Sequence, residues 1–453
     1  MTNIETQIKE KLKSIIDPDL HQDIVSLGFV KNISWEGKNE GLDVKLTLEL
    51  TSPACPVKET FKQDAERLIK EIKEVASVEV HLSSRQRNHQ EESSLQSVKN
   101  IIAVASCKGG VGKSTVAAMI ACELASQGYQ VGLLDIDLFG PSLPTLFDVS
   151  INGVQAKDKK LLPIEKEIIL QNGDANLLKL MSFGFLLGDS PAIMRGPMVS
   201  NYIQQLLHQV DWGDLDYLFI DLPPGTGDTQ LTLSQSVTLD GAMIITTGQS
   251  LSLVDVSKGI LMFEKVNVPI LGLVENMSYF TCHHCNEKHY PFRSGKGEGT
   301  SQGVEGLKNR FGIPLLAEIP FLASQKIFFK NYQPQSLAKN MIDNMARELG
   351  KKTFNKAPQP EVQWNEQELF VNGEQKFSVS HRNLRFNCLC ALCVDEVTGE
   401  KKITLKDIQE NISPQKVEPV GNYAISIKWN DGHHSGIYPY RLIEKLSQQK
   451  ANG

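Results

Sequence analysis

Apolar and polar positions change their period along the chain, and the changes divide it into blocks. In residues 1–83, Leu42-Asp43-Val44-Lys45-Leu46-Thr47-Leu48-Glu49-Leu50 alternates strictly, which predicts a half-buried strand. Val57, Phe61, Ala65, Leu68, Ile69 and Ile72 then recur at helical spacing, so this block reads as a small α+β domain. Residues 84–97, with Arg85, Arg87, Glu91 and Glu92 and almost no apolar position, read as a linker. Between 98 and 350 strands alternate with helices. The strands are continuous apolar runs such as Tyr217-Leu218-Phe219-Ile220 and Ala242-Met243-Ile244-Ile245, the pattern of a parallel sheet covered on both faces. A second linker is expected at 351–360. The last block, 361–448, shows short strands such as Tyr423 to Trp429, which ends at the turn Asn430-Asp431-Gly432. The expected fold class is α/β: a central parallel sheet with helices on both faces, flanked by a small α+β domain and a small β-rich domain.

One loop gives the central block its chemistry. Ile101-Ile102-Ala103-Val104-Ala105 reads as a buried strand, and Val116-Ala117-Ala118-Met119-Ile120-Ala121 as a helix. Between them lies Cys107-Lys108-Gly109-Gly110-Val111-Gly112-Lys113-Ser114-Thr115. Its glycines let backbone N–H groups turn toward a polyphosphate, and the helix start adds unpaired donors and the positive end of a dipole. Lys113 is expected on the terminal phosphates and the Ser114 hydroxyl on Mg²⁺. A nucleotide hydrolase also needs acids at strand ends, for the Mg²⁺ shell and the attacking water. Two places supply them: Val131-Gly132-Leu133-Leu134 runs into Asp135-Ile136-Asp137, and the strand through Ile220 runs into Asp221-Leu222-Pro223-Pro224-Gly225-Thr226-Gly227-Asp228. For Asp135 and Asp228 a helix-capping role is the alternative.

At 453 residues, 41% of them hydrophobic, the chain is long enough for two or three domains with real cores. No run approaches the roughly 18 apolar residues of a membrane helix. The start Met1-Thr2-Asn3-Ile4-Glu5 lacks signal-peptide character, so the cytoplasm is the expected compartment. A net charge of −6 argues against broad nucleic-acid binding. Of eight cysteines, five fall in two close groups, which in a cytosolic chain suggests metal before disulfide. Cys282-His283-His284-Cys285 alone leaves three readings open: half a zinc site, a redox dithiol, or half a cluster site. Cys388, Cys390 and Cys393 with an imidazole from His433 or His434 would make a tetrahedral set suited to structural Zn²⁺. Cys55 stands just before a predicted helix, where it reads equally as a reactive thiol or as a buried structural one.

The loop resembles the deviant Walker A motif of the family that includes the nitrogenase iron protein, the septum-site ATPases and the Mrp-type iron-sulfur carriers. In that family the extra lysine, here Lys108, reaches the partner subunit's nucleotide, so the resemblance implies a homodimer. Glu275-Asn276-Met277-Ser278 before the cysteine pair, Phe139-Gly140-Pro141-Ser142-Leu143-Pro144, and Asp221 to Asp228 narrow the likeness to the Mrp/ApbC cluster carriers over about 98–345. Cysteine at 107, where most bacterial members carry glycine, is similar to the plastid scaffold branch that serves photosystem I. The resemblance implies ATP bound by residues 107–115 and Asn276, and a switch II at Gly225 to Asp228 that senses the γ-phosphate. It implies catalytic roles for Lys108, Lys113, Asp137 (orienting water) and Asp221 (Mg²⁺ through water). It further implies a 4Fe-4S cluster held by Cys282 and Cys285 of two chains. The first block, through Asp17-Pro18-Asp19 and Thr51-Ser52-Pro53-Ala54-Cys55-Pro56, resembles the small domain associated with iron-sulfur maturation. The last is similar to the N-terminal domain of gamma-butyrobetaine hydroxylase, which implies zinc on Cys388, Cys390, Cys393 and His433 but no hydroxylase activity.

The function expected is an ATP-dependent carrier that binds a 4Fe-4S cluster at a homodimer interface. It would work with cluster-assembly proteins and deliver to apo iron-sulfur proteins, without nucleic acid or membrane. Two alternatives stand beside it, a positioning or partitioning ATPase and a non-enzymatic, nucleotide-switched zinc scaffold. The membrane-binding positioning ATPases carry a terminal amphipathic helix, whereas this chain ends in the polar Ser447-Gln448-Gln449-Lys450.

Overall fold

The computed structural model describes every residue except 1, 39–40, 51–52, 85–94, 139, 150–153, 159, 171, 188–195, 226–229, 231–232, 235, 293–303, 322–328, 330–335, 355–359, 373–375, 391, 395–399, 421–423 and 452–453. Phe139, Thr226 to Asp228, Tyr423, most of the first expected linker and half of the second therefore lie outside the described residues.

In the first block a three-stranded sheet runs Val30–Lys38, Gly41–Leu50, Val75–Ser84, the first pair antiparallel and the second parallel. The strict alternation places Val44, Leu46, Leu48 and Leu50 on the buried face. There they meet Phe61, Ala65 and Ile69 of the helix Lys58–Lys70, and Ile8 and Leu12 of the helix Thr2–Leu12.

The central block is an eight-stranded sheet in the order Leu315–Glu318, Ile270–Glu275, Gly241–Thr246, Val98–Ala105, Leu215–Asp221, Val131–Asp135, Ala175–Ser182, Ile164–Ile169. All neighbours are parallel except the last pair, in which the half-exposed edge strand runs antiparallel. The five strands from Ile270–Glu275 to Val131–Asp135 in that order are buried on both faces, which is why their sequences read as unbroken apolar runs. Ile102 and Val104 point into one core with the helices Lys113–Ser126 and Ser336–Phe354. Ile101, Ala103 and Ala105 point into the other, which holds Ile203, Val256, Ile260 and Phe311 of three further helices. The helix Ser336–Phe354 runs past residue 350 into the expected linker, because Met341, Ile342, Met345, Ala346 and Leu349 keep one face on the core.

The last block is β-rich, as expected. It has two three-stranded antiparallel sheets, Glu361–Trp364 with Glu368–Asn372 and Lys376–Ser380, and Pro414–Val420 with Ala424–Trp429 and Gly436–Pro439. The chain does end in a helix, Tyr440–Ala451, and its apolar positions Ile443 and Leu446 are buried in this domain's own core. Among the described residues no helix is long and apolar enough to cross a membrane.

The flanking blocks dock on opposite faces of the central sheet. Ala54 joins one core, and Ala424 and Ile437 join the other. Polar contacts fix the first junction. The Tyr217 hydroxyl accepts the Ala54 N–H at 3.1 Å, while Tyr129 donates to the Pro53 carbonyl at 3.0 Å and accepts from Lys58 Nζ at 2.6 Å.

Candidate functional site

The strand Val98–Ala105 ends in the glycine loop, and the helix Lys113–Ser126 begins there. Gly110 and Gly112 both have φ +79°, a left-handed conformation that only glycine enters without strain. A Cβ on Gly109 or Gly110 would meet nothing within 4 Å, so the space above the loop is open. Behind the loop Asn276 is buried, and its amide donates to the Val111 carbonyl at 2.8 Å. A Cβ on Gly112 would run into that amide. Asn276 thus braces the loop from the end of the strand Ile270–Glu275.

The acids converge on Lys113, because three parallel strands end side by side. Asp221 pairs in register with Val104 and with Asp135, so both carboxyls reach the site from adjacent strand ends. Lys113 donates to Asp221 Oδ1, and the two side chains are 6% and 0% exposed. The other oxygen, Oδ2, is buried and has no hydrogen-bond partner among the described residues. An uncompensated carboxylate oxygen beside an open phosphate cradle and the Ser114 hydroxyl fits a hydrated divalent cation. Burial raises the Asp221 carboxyl above the usual range, and the Lys113 ammonium opposes that shift.

Asp137 stands 9% exposed near the same cluster and adds negative charge toward Asp221. Asp135 is fully buried and acts as an organiser. Its carboxylate accepts N–H groups from Asp137 (3.0 Å), Ser142 (2.9 Å) and Leu143 (3.4 Å), and the Ser182 hydroxyl at 3.1 Å. It therefore caps the short helix Leu143–Phe147 and shapes the loop that carries Asp137. Burial and then the nearby Asp221 push its carboxyl up to about 7.

Lys108 is 34% exposed and pairs with Asp255 of the helix Ser250–Lys265 at 3.3 Å. Cys107 beside it is partly buried, and desolvation pushes its thiol up to about 11. Cys55 is also pushed to about 11 by burial, the opposite of an activated thiol, which favours its structural reading.

Cys282 and Cys285 lie on a short hairpin, Phe280–Thr281 paired with Lys288–His289, that leaves the core directly after the Asn276 brace. Asn286 donates to the Cys282 carbonyl at 2.9 Å and takes a left-handed φ of +57°, closing the turn. The His284 N–H reaches Cys282 Sγ at 3.4 Å, and backbone donors hold that thiol below its ordinary pKa. Both cysteines are accessible, as are His283 and His284. The Phe280 ring nearby is 45% exposed.

The second cysteine group folds into a closed set. The turn after Trp429 is tied by Trp429 N–H to the His433 carbonyl (2.8 Å), with Gly432 at φ +85°, and it aims His433 inward. His433 Nε2 lies 3.3, 3.6 and 3.9 Å from the sulfurs of Cys388, Cys390 and Cys393, all buried. Tetrahedral zinc bonds of about 2.3 and 2.1 Å imply an S···N separation of about 3.6 Å, inside that spread. Three thiolates and one neutral imidazole around a Zn²⁺ would leave one negative charge. Arg385 stands where it would offset that charge, donating to Cys393 Sγ at 3.2 Å and to Asp431 at 2.8 Å. Ser435 adds a donor to Cys390 Sγ at 3.3 Å. His434 is exposed and does not join the set. Neither Arg385 nor Ser435 was marked by spacing.

Comparison with known proteins matches these features block by block. The family model for NUBPL iron-transfer P-loop NTPases matches residues 97–350. The chain belongs to this family. Around the NTPase, the iron-sulfur cluster assembly protein model matches residues 5–81, and the gamma-butyrobetaine hydroxylase-like N-terminal model matches 359–444. The chain is 39% identical to Fe-S cluster assembly factor HCF101, chloroplastic, of Arabidopsis thaliana, over 98% of this chain and 83% of that protein. It is 42% identical to the iron-sulfur cluster carrier protein of Synechocystis, over 68% of this chain and 84% of that protein. Among solved structures, a nucleotide-binding protein in complex with ADP from Archaeoglobus fulgidus is 38% identical over 56% of this chain and 90% of its own, with a TM-score of 0.42.

Proposed function

We propose that this NTPase is an ATP-dependent carrier that holds a 4Fe-4S cluster between two copies of the chain and passes it to apo-proteins. One observation carries the reading: the described structure offers a single accessible pair of free cysteines on the hairpin 280–289, rooted in the segment that braces the phosphate loop. Two thiolates from one chain leave a four-thiolate cluster half-ligated, and a two-fold partner supplies the rest. The exposed Phe280 ring beside them gains cover in such a dimer.

Nucleotide would enter over Gly109 and Gly110. Lys113 would leave Asp221 for the terminal phosphates, and Asp221 would hold the hydration shell of Mg²⁺ with Ser114 as a direct ligand. Mg²⁺ supplies charge neutralisation of the phosphates. Asp137 would position the attacking water, on a loop that Asp135 holds in shape. Lys108 would exchange its Asp255 partner for the nucleotide across the interface, and Asn276 would contact the purine. Any shift of Val111 pulls on Asn276, six residues before Cys282, and so reaches the cluster ligands. The set Cys388, Cys390, Cys393 and His433 would hold structural Zn²⁺, away from the transfer chemistry.

The test is anaerobic reconstitution of wild type and Cys282→Ser. The wild type should take up iron and sulfide and develop visible absorption that the variant lacks. Equal loading of both would end the carrier reading.

A further inference from the structure

Outside the phosphate loop and the buried Cys388 set, one more group of metal-binding side chains converges among the described residues. His289 lies across the hairpin from Phe280, and its Nε2 is 3.7 Å from Cys285 Sγ. With Cys282 it forms a group whose donor atoms all lie within 4.8 Å of one another. We propose that Cys282, Cys285 and His289 form a mononuclear metal site within a single chain, for a thiophilic divalent cation such as Fe²⁺ or Zn²⁺.

The hairpin is built for three donors. Cys282 N–H donates to the Glu287 carbonyl at 2.9 Å, which with the Asn286 bond back to Cys282 fixes the turn between the thiols and the strand that brings back His289. The imidazole stacks on the Phe280 ring, with centroids 5.3 Å apart and planes 17° from parallel, so its edge stays turned to the sulfurs. Lys288, the nearest cation in sequence, lies 4.2 Å from the centroid of the Tyr279 ring, where its charge is engaged by the aromatic face. The 3.7 Å gap matches the roughly 3.6 Å between sulfur and nitrogen on one tetrahedral ion. Two sulfurs and one imidazole select soft and borderline cations over Mg²⁺ or Ca²⁺.

Cys285 and His289 are exposed and Cys282 is partly so, which leaves a fourth position facing solvent. Three protein ligands and an open place describe an exchangeable site, unlike the closed, buried set around His433. The site needs one chain, so it differs from the shared cluster in stoichiometry as well as in ligands.

The experiment uses the full chain with one Zn²⁺ already in the Cys388 set, free of cluster, under anaerobic conditions. Co²⁺ is the probe, since it does not displace zinc from a thiolate site. Wild type at concentrations where it sediments as a monomer should bind one Co²⁺ per chain, with thiolate charge-transfer absorption and the d–d bands of four-coordination. His289→Ala should lose more than about ten-fold in Co²⁺ affinity and change those bands. His289→Cys should restore binding with stronger charge-transfer absorption. No Co²⁺ uptake by wild type, one ion per two chains, or identical spectra and affinity in His289→Ala would each overturn the proposal. Iron and sulfide loading of His289→Ala, measured in parallel, tests the shared cluster separately, since that cluster needs only the thiolates.

Discussion

Replacing Asn276 by alanine cuts a buried polar link between the phosphate loop and the segment that leads to the cysteine hairpin. In the intact chain its amide donates to the Val111 carbonyl at 2.8 Å, and Asn276 and Val111 are 4% and 5% exposed. Removing the donor leaves a buried carbonyl without a partner, a cost of about 1–3 kcal/mol to this loop conformation. At about 1.4 kcal/mol per factor of ten, that is a loss of roughly five- to 150-fold in the population that binds nucleotide. The assay is titration with a fluorescent ATP analogue, combined with the rate of cluster transfer to an apo-ferredoxin with and without ATP. Asn276→Ala should bind ATP more weakly by that factor and lose most of the ATP effect on transfer, while its iron and sulfide content stays at the wild-type level. Wild-type affinity together with a wild-type ATP effect would refute the coupling route. A matching melting temperature would exclude general unfolding as the cause of any loss.

Further outcomes follow from other parts of the structure. Asp137→Ala should cut ATP turnover by about 10²–10⁴-fold with nucleotide binding retained, the scale of a lost acid–base group, and steady-state phosphate release reads it. Lys108→Ala should weaken nucleotide-dependent control without removing iron; loss of the cluster with the dimer intact would contradict the separation of the two sites. In cluster-free protein that carries one Zn²⁺ per chain in the Cys388 set and no metal on the hairpin, iodoacetamide at pH 7 should label Cys282 well before Cys55 or Cys107, read by peptide mass spectrometry. The thiolate is the nucleophile, and the thiols of Cys55 and Cys107, raised to about 11, gain it only as pH climbs toward that value, whereas Cys282 is held low. Gly436→Ala would set a Cβ 2.8 Å from the Tyr438 ring and 3.0 Å from Cys388 Sγ. It should cost about 1–3 kcal/mol in the last domain and lower bound zinc, read by melting and metal analysis.

Much of this was legible in the chain. Strict alternation over Leu42 to Leu50 and helical spacing from Phe61 to Ile69 gave the first domain, because a half-buried element writes its period into the sequence. The apolar runs ending at Asp135 and Asp221 gave the strand ends of the nucleotide site for the same reason. What escaped depends on pairing across the fold. The edge strand Ile164–Ile169, the docking of Pro53 and Ala54 on Tyr129 and Tyr217, and the Arg385 donor to Cys393 leave no local period. His289 was adjacent to a known pair, yet only the register Phe280↔His289 brings its ring to Cys285. The final helix was masked by its polar end, while Ile443 and Leu446 supplied its buried face.

The cluster shared between two chains is tested most directly with mixed dimers. Wild-type chains and chains carrying both Cys282→Ser and Cys285→Ser, distinguished by tags, would be reconstituted together anaerobically and weighed intact by native mass spectrometry. The expected result is one 4Fe-4S cluster per wild-type pair and none on the mixed pair. A full cluster on mixed pairs, or on single wild-type chains, would contradict ligation by four thiolates across a two-fold interface.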